Sequence, residues 1–247
     1  MRFRNSAYKS PLWLWLPPII LAVSLALNVL DKDMYSRWIS SEQGLVEVGT
    51  LVLLATAVVY GFRIVLMQAS DPIPTWIRWW VLLITLGSIY FLGEEASWGQ
   101  HLFGWRPSDD WNDLNLQAET NLHNINNFGF LFDQMPRNAL TAAAVIGGIV
   151  VPLYQRFRSL EWRPNQFCYW FWPTFVCTPA ALVAVFVSIP HKVYKSTGAP
   201  LPDLLMGMPP GEFKEFFLAF FIMLYMVSLA ARISRLKQAS PSSGIRC

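Results

Sequence analysis

The sequence predicts an all-α, polytopic membrane protein with about six transmembrane helices. Of 247 residues, 54% are hydrophobic and only 14% charged, too apolar for one soluble domain of this length. Six apolar stretches approach the roughly 20 residues a helix needs to cross the hydrocarbon core, where no backbone group can stay unpaired. Lys and Arg also collect in alternate loops, as expected of topology determinants.

The first predicted span, 12–30, follows Arg2, Arg4 and Lys9 and has the basic start and apolar run of a signal sequence. No small-x-small cleavage site precedes Asp31, so it reads as an uncleaved span. The second, 44–67, carries Glu47 three residues after Gly44. The third, 77–92, is short, or else runs on through Gln100. An outer cap loop, 94–138, then separates it from the fourth span, 139–154. Connections are usually ~4–6 residues long, so a loop of this size with Phe103, Trp105, Trp111 and Phe128 among acids and amides suits an ordered cap. The fifth span is 167–189 and the sixth 213–233, and the tail after Arg232 reads as a disordered end. Pro11, Pro72, Pro74, Pro164, Pro190, Pro209 and Pro210 lie at or beyond helix ends, where a missing N–H costs least. Pro17, Pro18, Pro152, Pro173 and Pro179 fall inside spans and predict kinks or early ends.

Twelve Lys and Arg fall on the side of the N-terminus and seven opposite, which predicts both termini in the cytoplasm. Of 16 Asp and Glu only Asp71 and Glu161 share the basic side. The net charge of +3 thus conceals an acidic outer face over basic inner loops. Bases scattered at span ends do not form a phosphate-binding patch, so nucleic acid is excluded as a partner. Cys168 and Cys177 inside a span, with Cys247 beyond, support neither a disulfide framework nor a CxxC metal site.

All three histidines, His101, His123 and His191, fall on the acidic side. Were the third helix to continue, Glu94, Ser97 and His101 would stack at i, i+3 and i+7 on one face, with Glu95 turned about 100° away. Trp98 and Trp105 would mark the interface. Glu119 and His123, four residues apart, would share one turn of a helix. Catalytic zinc takes three protein ligands plus water, and His101, His123 and Glu119 or Glu94 supply such a set. Glu94, Glu95 and Ser97 are the candidate catalytic groups, a glutamate acting as general base. Glu47, Trp98, Asn121 and His191 are candidates to bind substrate. Plainer readings stand beside these. A His near a span end is an interfacial anchor, a Glu–His pair at i, i+4 is a surface contact, and Glu47 pairs with Lys214 or caps its helix. Two adjacent carboxylates at bilayer depth, however, are costly unless they pair, bind a cation or face water.

Residues 93–100, Gly-Glu-Glu-Ala-Ser-Trp-Gly-Gln, together with 115–124, Asn-Leu-Gln-Ala-Glu-Thr-Asn-Leu-His-Asn, resemble a signature of bacterial polytopic membrane proteins with no established activity. Ser97-x-x-x-His101 is also similar to the Ser-x-x-x-His element of the alkaline ceramidase and adipoQ receptor superfamily, membrane zinc hydrolases acting on lipid amides. That resemblance implies His101 as a zinc ligand. The superfamily has seven helices and a late His-x-x-x-His, whereas this chain has six spans and only Glu119-x-x-x-His123. The sequence therefore predicts a bacterial inner-membrane protein with a divalent-cation site, such as zinc, at the outer leaflet. Its chemistry would be hydrolysis or group transfer on a lipid-linked substrate. The alternative is a non-enzymatic transporter subunit, cation sensor or assembly partner.

Overall fold

A helix in lipid closes its backbone hydrogen bonds within itself, and six helices here are long and apolar enough to cross a membrane: Leu12–Leu30, Leu45–Val65, Thr75–Glu95, Phe130–Phe157, Phe167–Thr197 and Pro210–Ala239. The computed structural model describes residues 12–41, 44–68, 71–109, 111, 115, 119–122, 125 and 130–239, with only the backbone at 101, 102 and 133. The protein is an all-α, multi-pass membrane bundle. Several spans outrun their sequence limits. The fourth starts at Phe130 rather than 139, so the end of the predicted cap is helical, and the sixth continues to Ala239, well past Arg232.

The sixth span is the axis of the bundle. Every residue from Phe216 to Met226 is buried, three full turns that face every direction around it, the mark of a helix wrapped by others. It packs on the second and fifth spans; the second packs on the third, and the fifth on the first and fourth. The second and third spans meet at Gly61, where an added Cβ would come within 2.0 Å of Thr85 Oγ1. Thr85 is fully buried and its hydroxyl donates to Val81 O at 2.7 Å. We expect Gly61→Ala to destabilise the bundle by about 1–3 kcal/mol through overpacking. Thr85→Ala should return part of that loss, read as a non-additive double-mutant cycle in thermal unfolding.

Two spans are irregular for reasons visible in their prolines. In the fourth, α turns at Met135–Ala143 and Val151–Phe157 flank a wider π turn at Ala144–Val150, just before Pro152, which has no N–H to continue the ladder. The fifth breaks at Pro173. Trp172, the residue before it, is extended (φ −83°, ψ 139°), as sterics with the proline ring require. The carbonyls freed by the break are taken up by the sixth span. Tyr225 Oη donates to Phe171 O at 3.0 Å, and Arg232 Nη1 donates to Tyr169 O and, at 3.3 Å, to Trp172 O. Pro17 and Pro18, by contrast, are carried within a continuous first helix.

Candidate functional site

The third span stops at Glu95, and the chain then reverses through three consecutive left-handed residues: Ser97 (φ 44°), Trp98 (φ 50°) and Gly99 (φ 92°). Glycine adopts this conformation freely, but Ser and Trp do so at a cost of order 1 kcal/mol or more each. Their surroundings hold them there. The Trp98 ring folds back over Gly93, where a Cβ would sit 2.8 Å from it, and its indole N–H donates to Glu94 Oε1 at 2.7 Å. Ser97 Oγ donates to Glu119 Oε2 at 3.0 Å. The predicted stack of Glu94, Ser97 and His101 on one continuous helix is therefore corrected: the reversal separates them, and His101 belongs to a new short helix, Gln100–Phe103.

The reversal brings the two motifs together as a clasp. The second oxygen of Glu94 accepts the backbone N–H of Leu122 at 2.8 Å. Gln100 Oε1 accepts the N–H of Thr120 at 2.7 Å, and the Thr120 hydroxyl donates to Ser97 O. Asn121 donates its amide to Glu119 Oε2, while Asn115 donates to Asn121 O at 2.8 Å. Trp111 closes the far side by donating to Glu119 O at 2.7 Å. Glu94, Ser97, Asn115 and Asn121 are all buried. Both Glu94 oxygens thus accept N–H groups, an arrangement of charge-assisted bonds that anchors a loop.

Residues 119–122 are not helical, so the predicted helical turn presenting Glu119 with His123 is also corrected. His123 and the side chain of His101 lie outside the described residues. Among the described residues no three His, Cys, Asp or Glu side chains gather as a metal ion would need.

Beside the clasp the third and fourth spans part, leaving a cavity of about 610 Å³. It extends along the third span from Trp80 to Glu95, about 22 Å at the rise of an α-helix. Its floor is the broken fifth span, Phe171 to Pro173, with Trp80 Nε1 donating to Tyr225 Oη at 2.9 Å. Leu218, Phe221 and Ile222 of the sixth span form its back wall. Leu83 and Ile146 also line it and are 61% and 50% exposed, so the cavity opens on the face a bilayer would cover.

Charge is concentrated at one end. Arg137 Nη2 pairs with Glu215 Oε1 at 2.6 Å, and both line the cavity with Glu94 and half-buried Glu95. Glu95 lies close enough to Glu215, Arg137, Glu47 and Glu212 to feel their charges. Glu47 stands in the first turn of the second span, where the helix dipole favours an anion. Nearby, burial and then Glu212 push the Tyr35 phenol up to about 12, so it keeps its proton.

Of the residues singled out from sequence, Glu94, Ser97, Trp98, Glu119 and Asn121 meet in the clasp, and Glu95 lines the charged end of the cavity, within reach of the charge of Glu47. His191 is placed with neither; it sits in the helix Ile189–Thr197 with Nδ1 buried and lacking a hydrogen-bond partner among the described residues. Sequence reasoning missed Arg137 and Glu215, and the cavity itself. One signal existed, the small residues Ala139, Ala143 and Gly147 at four-residue intervals, which line the cavity rather than a helix contact. No family model, curated protein or solved structure matches the chain.

Proposed function

We propose that the protein binds the hydrocarbon tail of a lipid or lipid-linked substrate in the cavity and presents its head group to Glu95, Arg137 and Glu215, for hydrolysis or group transfer at the outer leaflet of the bacterial inner membrane. The observation that carries this is a long apolar cavity, open toward lipid, with charged groups confined to one end. Tails gain little by leaving one apolar medium for another, so selection falls on the head group. Arg137 would hold an anionic head. Glu95 would act as general base, taking a proton from water or an acceptor hydroxyl as that oxygen attacks a carbonyl or phosphoryl centre; the bond from that centre to the leaving group then breaks, and Glu95 returns the proton to the departing atom. Glu94 and Ser97 are better read as anchors of the clasp than as reacting groups.

A lipid carrying a photoactivatable group in its tail tests the reading. Labelling should map to Ser88, Phe91, Phe221 and Ile222; labelling confined to bilayer-facing residues such as Val52 and Val59 would refute it. The metal-dependent version is a second proposal, in which His101, Glu119 and His123 hold a divalent cation such as zinc. It is favoured by the clasp, which lays the segment before His123 against the one carrying His101. Metal analysis of detergent-purified protein decides it, with His101→Ala and His123→Ala expected to remove the metal.

The sidedness rests on the Lys and Arg imbalance. An alkaline phosphatase fusion after Asp113 should be active and one after Arg158 inactive. The reverse pattern would move the charged end of the cavity to the cytoplasm.

A further inference from the structure

At the opposite end of the bundle, under the broken fifth span, lies a second cavity of about 410 Å³ lined by Arg156, Arg232, Arg235, Tyr169, Trp172 and Glu161 among others. Trp172 and Pro173 separate it from the first. Three guanidinium groups face one carboxylate among its described lining residues. Arg156 is stacked over the Phe175 ring at 4.9 Å.

Arg232 is the informative group. It is 7% exposed and lies at the cavity wall. One nitrogen, Nη1, is occupied by the carbonyls of Tyr169 and Trp172, and the guanidinium lies 5.6 Å from the Tyr169 ring. Its other two nitrogens, Nε and Nη2, are buried and have no hydrogen-bond partner among the described residues. Sealing the broken helix therefore uses only part of the side chain. Nε and Nη2 form one edge of the planar guanidinium, the edge that grips two oxygens of a carboxylate or phosphate at once. A buried cation left without a counter-charge is expensive, so an unpaired bidentate edge beside a basic cavity calls for an oxyanion.

We propose that this cavity is an anion site that binds a phosphate group through the Nε and Nη2 edge of Arg232, with Arg156 and Arg235 supplying charge. The phosphate comes either from an anionic lipid head group or from a soluble phosphate. The site is independent of the tail-binding cavity and needs no chemistry there.

Thermal unfolding of the purified full chain tests it. Inorganic phosphate is added in detergent at ionic strength matched with sodium chloride, and nanodiscs of phosphatidylglycerol are compared with nanodiscs of phosphatidylcholine. A rise in Tm with phosphate identifies a soluble ligand; a rise only in phosphatidylglycerol identifies the head group. Arg232→Lys, which can still reach the fifth-span carbonyls but has no bidentate edge, should weaken binding at least tenfold. Should that variant fail to fold, Arg156→Gln and Arg235→Gln leave the Arg232 bonds to the fifth span intact and should each weaken binding several-fold. No rise with either source, or equal rises in wild type and in all three variants, overturns the site.

Discussion

Gly87→Trp should abolish lipid-tail binding while leaving the bundle as stable as before, or more so. Gly87 faces the cavity, and a Cβ built on it meets nothing within 4 Å. Replacing a glycine inside a helix also removes a penalty of up to about 1 kcal/mol, so folding is not at risk. A tail forced in beside the indole would overpack the space at a cost of about 1–3 kcal/mol or more, which is roughly tenfold or greater in affinity. The measurement is retention of lipid by native mass spectrometry, alongside thermal unfolding. Gly87→Ala is the control and should retain lipid fully. Wild-type retention in the tryptophan variant would mean that the cavity is not where tails reside.

Glu94→Ala should release the loop after the third span. Two hydrogen bonds to a charged acceptor, from Leu122 N and Trp98 Nε1, are lost together, and such bonds contribute about 1.5–3 kcal/mol each. The left-handed conformation of Trp98 would then lose the indole bond that helps restrain it. Cleavage within residues 104–118 under limited proteolysis should accelerate by about a hundredfold, with the six helices still protected. Glu94→Gln, which keeps one carbonyl acceptor, should fall between. Glu95→Gln provides the contrast: its protease pattern should be unchanged while head-group turnover is lost. A loop cut no faster in Glu94→Ala would show that the clasp is held by something else.

The helices were legible because apolar runs of spanning length declare themselves, and Pro173 announced the break in the fifth. Boundaries were not, since Phe130 and Gln134 extend the fourth helix through residues that look like loop. The clasp was half visible. Both motifs stood out as polar segments beside an apolar span, but helical spacing was the wrong rule for joining them. Left-handed geometry is expected at Gly99, whereas at Ser97 and Trp98 it is imposed by contacts with Gly93 and Glu119 that lie beyond any local pattern. The pairing of Arg137 with Glu215 was illegible for a related reason: it depends on the fourth and sixth spans lying side by side, and nothing within either span states that. His101 and His123, the most conspicuous residues of the sequence, fall where the structure describes no side chain.

The central position of the sixth span bears on how the molecule is made. Spans enter the bilayer in the order they are synthesised, so the other five are delivered before the helix that fills the space among them. Until it arrives, the Tyr169, Phe171 and Trp172 carbonyls of the fifth span lack the Tyr225 and Arg232 groups that seal them. The second and fifth spans therefore gain their shared packing partner only when the sixth is made, and a chain truncated before Pro210 should be digested faster in membranes than the full chain.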